Sequence, residues 1–125
     1  MNDYRVEAPP ILRDFLAYHE TIQGHSRQTV DEYFLDLRNF FRFLKQSRSP
    51  DLRDKQLDEI DIMDIDLDFV KNVTLTDVYA YMAYLSRDRV QHQNSRNSAY
   101  GLNAASRARK VATIRSFYKY LTVKA

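Results

Sequence analysis

Residues 103–121 read NAASRARKVATIRSFYKYL, and the spacing of the apolar residues in this run leaves little choice of structure. Ala108, Val111, Ile114, Phe117, Tyr118 and Leu121 recur every three or four positions, which lines them along one face of a helix with 3.6 residues per turn. That face has to be buried. Asn103 is positioned to cap the free N–H groups of the first turn, with Ser106 as the cap if the helix begins a turn later. Arg107, Arg109, Lys110, Arg115 and Lys119 fall mostly off the stripe, with small Ser106, Thr113 and Ser116 between them. The predicted outer surface is cationic without being bulky, a shape that suits the groove of a duplex.

Three further helices follow from the same periodicity. Pro10 suits a first helical position, and Ile11, Phe15, Tyr18 or His19, and Ile22 give a core face that runs out at Gly24. Ser26 caps a second helix reaching about Gln46, with Val30, Tyr33, Phe34, Leu37, Phe40, Phe41 and Leu44 inward and Phe43 off the stripe. Its phenylalanines invite a base-stacking reading, but three of them share the stripe with Leu37 and Leu44, which favours a core. Arg38, Arg42 and Lys45 form one line at i, i+4 and i+7. They are either a solvated face paired with Asp31, Glu32 and Asp36 or a nucleic-acid face. Thr74 or Thr76 caps a third long helix with Val78, Tyr81, Met82 and Leu85 inward and Asp77 in its first turn. Between the second and third, residues 60–69 alternate apolar and acidic, a strand-like period with no partner strand. An extended connection with one helical turn near residues 69–71 is expected instead. Residues 90–102 form a long polar loop bearing Arg96, expected to be the most mobile interior segment.

A chain of 125 residues with two glycines, three prolines and no cysteine is one helical domain by length, without disulfides or thiolate metal sites. Charge is unevenly spread. Residues 51–68 hold eight acids against Arg53 and Lys55, whereas residues 87–125 hold nine basic residues against Asp88 alone. One side of the molecule is predicted to attract a polyanion and the other to repel it. No run approaches the ~20 apolar residues of a membrane span, and a cytoplasmic location is expected. Asp61, Asp64, Asp66 and Asp68 lack the glycine and closing glutamate of a calcium loop. His19, His25 and His92 are too scattered for a metal site, so no metal or cofactor is expected. P-loop, G-x-G-x-x-G, G-x-S-x-G and H-E-x-x-H motifs are all missing, which argues against an enzyme.

Two runs carry a resemblance. SRARKVATIRSFYKYL (residues 106–121) is similar to the last helix of the N-terminal core-binding domain of tyrosine recombinases, the Xer-type and phage-integrase enzymes, which reads roughly S/T-x-x-R-K-L-S-A-L-R-S-F-Y-x-Y-L. SRQTVDEYFLDLRNFFRFL (residues 26–44) resembles the S-x-x-T-x-x-x-Y-x-x-D-L-x-x-F-x-x-F-L helix of the same domain. With weaker similarity in residues 75–85, the likeness reaches from about residue 11 to residue 121.

The resemblance implies an all-α, SAM-like core-binding domain of four main helices that forms one half of a C-shaped clamp on double-stranded DNA at a core recombination site. Residues 1–9 would be a flexible lead-in, 10–121 the domain, and 122–125 the start of a linker to a catalytic domain. It implies DNA contacts by Arg27, Gln28, Thr29, Arg38, Arg107, Arg109, Lys110 and Thr113. Arg115 is left open between DNA and an ion pair, and Tyr33 matches the pattern but lies on the buried stripe. The family's strand-transfer residues lie in the C-terminal domain. This chain has no H-x-x-R, and Tyr118 and Tyr120 read as core and rim, so no catalytic residue is assigned. Other recombinase subunits are implied partners, with the isolated domain monomeric. The competing reading is a helical protein–protein interaction module using the tyrosines of residues 79–84 and the acids of residues 51–68.

Overall fold

The computed structural model describes residues 4–91 and 104–124. They are helical, with no strand among the described residues. The elements are a single turn α1 (Tyr4–Glu7), α2 (Pro10–Ala17) continued by a π turn (Tyr18–Ile22), α3 (Arg27–Arg48), α4 (Leu67–Lys71), α5 (Leu75–Gln91) and α6 (Ala104–Lys124). Two 3-10 turns, Pro50–Leu52 and Leu57–Glu59, lie between α3 and α4. Val90 and Gln91 therefore extend α5 instead of opening a loop. The rest of the predicted loop and the Asn103 cap lie outside the described residues.

Local chemistry accounts for the helix starts. Pro10 opens α2, where its missing N–H is no loss. Ser26 Oγ accepts the Thr29 N–H at 3.1 Å and caps α3. Thr74, not Thr76, caps α5: the Asp77 N–H donates to Thr74 Oγ1 at 3.1 Å, and the Thr74 N–H returns to Asp77 Oδ2 at 2.9 Å. Arg48, in the last turn of α3, donates to the same Asp77 oxygen at 3.0 Å. Burial pushes the Asp77 carboxyl upward, but the Thr74 N–H and the Arg48 guanidinium outweigh it and hold the group below its ordinary value.

α3 is the axis of the molecule. Val30, Phe34, Leu37, Phe40, Phe41 and Leu44 are all buried, as their period predicts. On one side Phe41 meets Phe117 of α6 at 5.7 Å between ring centroids, and Phe117 meets Phe15 of α2 at 5.3 Å. On the other, Phe40 and Phe43 pack on Tyr81 of α5 at 5.2 and 5.3 Å, and Phe43 reaches Tyr84 at 5.1 Å. Phe43, off the principal stripe, is thus still in a helix contact, because α3 is covered on more than one face. The connection to α4 buries Ile60, Ile62 and Ile65 and turns Asp61, Asp64 and Asp66 outward, so its alternating pattern serves an extended segment laid on α3. Ala8 and Pro9, assigned by sequence to the lead-in, are buried as well.

The π turn departs from the simple period. The Gln23 N–H bonds to the Tyr18 carbonyl at 3.1 Å, five residues back. Gly24, at φ 72°, then ends the segment in the left-handed region. The wider turn keeps His19 in the core and swings Ile22 out to 70% exposure, so Ile22 is not the core residue that regular helical spacing predicts. In α6 the buried stripe is Lys110, Thr113, Ile114 and Phe117, while Ala108 is exposed.

Ile114→Ala should cost roughly 2–5 kcal/mol through lost apolar burial and an unfilled cavity, read as a lower urea midpoint at unchanged slope. His19 supplies a pH test. Its ring lies among Phe15, Tyr33 and His25, and burial, followed by the charge of His25, lowers its pKa from 6.5. The unfolded chain then takes up the proton first as pH falls, so this contribution is complete above pH 6.5 and is lost below it. The urea midpoint should fall between about pH 7.5 and 5.5, and His19→Phe should flatten that fall.

Candidate nucleic-acid interface

The orientation of α6 on α3 follows from pairs that advance together along both helices. Arg109 faces Glu32, Lys110 and Thr113 face Asp36, and Phe117 faces Phe41. The two helices therefore run in the same direction, and their N-terminal ends lie at the same end of the molecule. Each helix start carries partial positive charge and N–H groups without intrahelical partners. Arg27 and Gln28 are exposed in the first turn of α3, Arg107 is half-buried in the first turn of α6, and Arg109 follows at 51% side-chain exposure. Thr29 is half-buried beside the α3 cap, where the Ser26 hydroxyl donates to Thr29 Oγ1 at 3.0 Å. These five predicted contact residues are brought to one end.

The other three are not. Arg38 Nη1 donates to both carboxylate oxygens of Glu7, at 3.0 and 3.2 Å, and its guanidinium lies 5.3 Å from the Phe34 ring centre. Lys110 is 9% exposed and Thr113 only 2%, because both point at Asp36. Lys110 Nζ donates to Asp36 Oδ1 at 2.9 Å and Thr113 Oγ1 to Oδ2 at 2.9 Å. A buried carboxylate needs such partners to offset its lost hydration. Lys110 and Thr113 therefore serve the α3–α6 seam rather than an outer surface, and Arg38 serves the N-terminal segment.

The cationic line on α3 is likewise engaged internally. Arg42 donates through Nε to the Ile60 carbonyl at 3.0 Å and pairs with Glu7 at 3.4 Å, while Lys45 donates to the Asp61 carbonyl and to Asp64 Oδ1 at 2.6 Å. Its partners are Glu7 and the connection to α4, not the intrahelical acids Asp31, Glu32 and Asp36. The acidic segment is thereby fastened to the C-terminal half of α3, away from Arg27 and Arg107. The cationic outer face of α6 survives in Arg115 and Lys119, both exposed and lining an open trough with Ala112 and Ser116.

Asp36, which the sequence pattern offers only as an intrahelical partner of the α3 cations, is the carboxylate at the centre of the seam. Its signal was an acid at the edge of an apolar stripe, matched by Lys110 and Thr113 in exact helical continuation of Ile114, Phe117 and Leu121. Tyr118 donates its hydroxyl to the Val70 carbonyl at 2.7 Å, and burial raises its ionisation far above the ordinary range. Burial, with Asp14 and Tyr18 nearby, also raises that of Tyr120. No three His, Cys, Asp or Glu residues among those described gather closely enough for a metal, and no described helix is long and apolar enough to cross a membrane.

An all-α domain of four long helical segments around a central α3 is the architecture of a SAM-like domain. Residues 12–124 match the family model described as phage integrase, N-terminal SAM-like domain, and the chain belongs to that family. It is similar to the tyrosine recombinase XerC of Caldanaerobacter subterraneus subsp. tengcongensis, with 43% identity over 94% of this chain and 30% of the relative. It is also similar to the tyrosine recombinase XerS of Lactococcus lactis subsp. lactis, with 33% identity over 78% of this chain and 25% of the relative. The likeness to the tyrosine recombinase XerC of Myxococcus xanthus is 31% over 90% of this chain and 27% of that protein. The chain thus spans less than a third of the length of these relatives. No solved structure matches.

The seam predicts a folding defect where a surface lysine would give none. Lys110→Ala leaves Asp36 as a buried charge without its close partner and should destabilise the domain by roughly 3–5 kcal/mol, measured by urea unfolding. An unchanged midpoint would mean that Lys110 is not the buried counterion.

Proposed function

We propose that this chain is the non-catalytic, duplex-DNA-binding domain of a tyrosine recombinase, holding the core recombination site for integration or recombination by a separate C-terminal catalytic domain. The observation that carries the reading is the lengthwise separation of charge along α3. Arg27, Gln28, Arg107 and Arg109 gather at the shared start of α3 and α6, while Glu7, Asp64 and Asp77 neutralise the cations farther along α3. A duplex approaching the helix starts meets two positive helix ends and three arginines, with Glu32 and Asp36 beside Arg109.

In this reading the arginines neutralise phosphates and release counterions, which gives affinity and register, while Gln28 is suited to a base edge or a phosphate. Thr29 contributes mainly by holding the cap. Arg115 and Lys119 extend the cationic surface along α6. The domain acts inside the cell, on cytoplasmic DNA, and works beside other recombinase subunits. The exposed Leu75 and Tyr79, one turn apart on α5, favour such a protein contact as a second role. Tyr84 is occupied by Phe43 and adds little to it.

Fluorescence anisotropy of the chain against a labelled duplex of about thirty base pairs, repeated over a salt series, tests the reading. Binding should be saturable, with log affinity falling linearly in log salt. Arg27→Ala and Arg107→Ala should each weaken binding and reduce the slope by about one unit. Absence of binding at low salt would shift the function to the protein-interaction role.

A further inference from the structure

At the α3–α6 seam, two cations face one buried carboxylate, and their distances separate their roles. Lys110 Nζ lies 2.9 Å from Asp36 Oδ1 with its side chain 11% exposed, and Thr113 satisfies the other oxygen. Arg109 stands farther off: Nη2 is 3.6 Å from the same Asp36 oxygen, and Nη1 is 3.8 Å from Glu32 Oε1. Both exceed an ordinary hydrogen bond. The Arg109 and Glu32 side chains are 51% and 46% exposed, so this outer pair lies at the water-facing edge of the seam. Asp36 already has a close cation and a hydroxyl donor, which leaves Arg109 surplus to the fold. The field of two carboxylates holds it at the edge without a firm bond.

We propose that Glu32 is a positioning residue for DNA binding. It retains the Arg109 guanidinium at the mouth of the seam when no duplex is present and yields it to a phosphate when one arrives, while Lys110 remains the permanent counterion of Asp36. The inference rests on the DNA-binding reading above. An exposed pair at these distances is weak, and a phosphate offers Arg109 a shorter, bidentate contact. The exchange therefore favours the phosphate, but Glu32 opposes it and keeps intrinsic affinity down. Tight binding then requires the simultaneous contacts at Arg27 and Arg107.

The test is a double-mutant cycle in duplex anisotropy at low salt, accompanied by urea unfolding of each variant. Glu32→Gln should tighten binding about two- to fivefold, the range of an exposed ion pair. In an Arg109→Gln background the same change should give no gain. Arg109→Gln should leave the urea midpoint nearly unaltered, whereas Lys110→Met should lower it. Equal gains in both backgrounds would show general repulsion by Glu32 and overturn the proposal, as would no gain in the wild-type background. A large stability loss in Arg109→Gln would overturn the surplus role of Arg109. Salt-dependent wild-type binding combined with any of these results defeats the positioning role alone; failure of the wild type to bind defeats the DNA reading and this proposal with it.

Discussion

Asp36 brings a carboxylate to 3% exposure between the two helices that define the molecule. Left unpaired there, it would cost more than the domain's marginal stability can spare. Lys110 and Thr113 satisfy it, and because they occupy successive turns of α6, they set both the rotation and the axial register of that helix on α3. The aromatic contacts of Phe117 with Phe41 and Phe15 continue the seam below it. Apolar packing alone tolerates sliding and repacking. A fully partnered buried charge discriminates against such alternatives more sharply, since a slip of one residue separates it from both donors.

That register is what puts the starts of α3 and α6 at one end. Each helix supplies one exposed arginine there, Arg27 and Arg109, with Arg107 half-buried beside them. Side by side, with their dipoles pointing the same way, the two helix starts add their partial positive charges at that end. The same α3 is neutralised over its later turns, where Glu7, the Ile60 carbonyl and Asp64 take up Arg38, Arg42 and Lys45. The acidic connection thus has two effects, fastening an extended segment to the axis and removing competing positive charge from the far end.

Helices with a strong apolar period are legible in the sequence alone. Val30, Phe34, Leu37, Phe40, Phe41 and Leu44 are buried because a 22-residue helix with that stripe has no other way to shield it. Sequence pattern and structure part where periodicity is silent or misleading. Ile22 fits the stripe of α2, but the π turn adds a residue and rotates it outward. Lys110 and Thr113 look like surface residues, since lysine and threonine usually are. Only the acid across the seam makes their burial favourable.

The sequence by itself determined the long helices, the starts of two of them at Pro10 and Ser26, and the overall imbalance of charge, because each depends on neighbours three or four positions away or on composition, and its two motifs carried the family resemblance. Tertiary structure alone decided which cations remain outward. Nothing local in the sequence separates Arg38, Arg42, Lys45 and Lys110 from the outward cations Arg27 and Arg109, and the carboxylates and carbonyls that claim them lie 16 to 74 residues away along the chain. Long-range pairing of this kind has no local period to read. It is settled by which surfaces the packed helices bring within a few ångströms of each other.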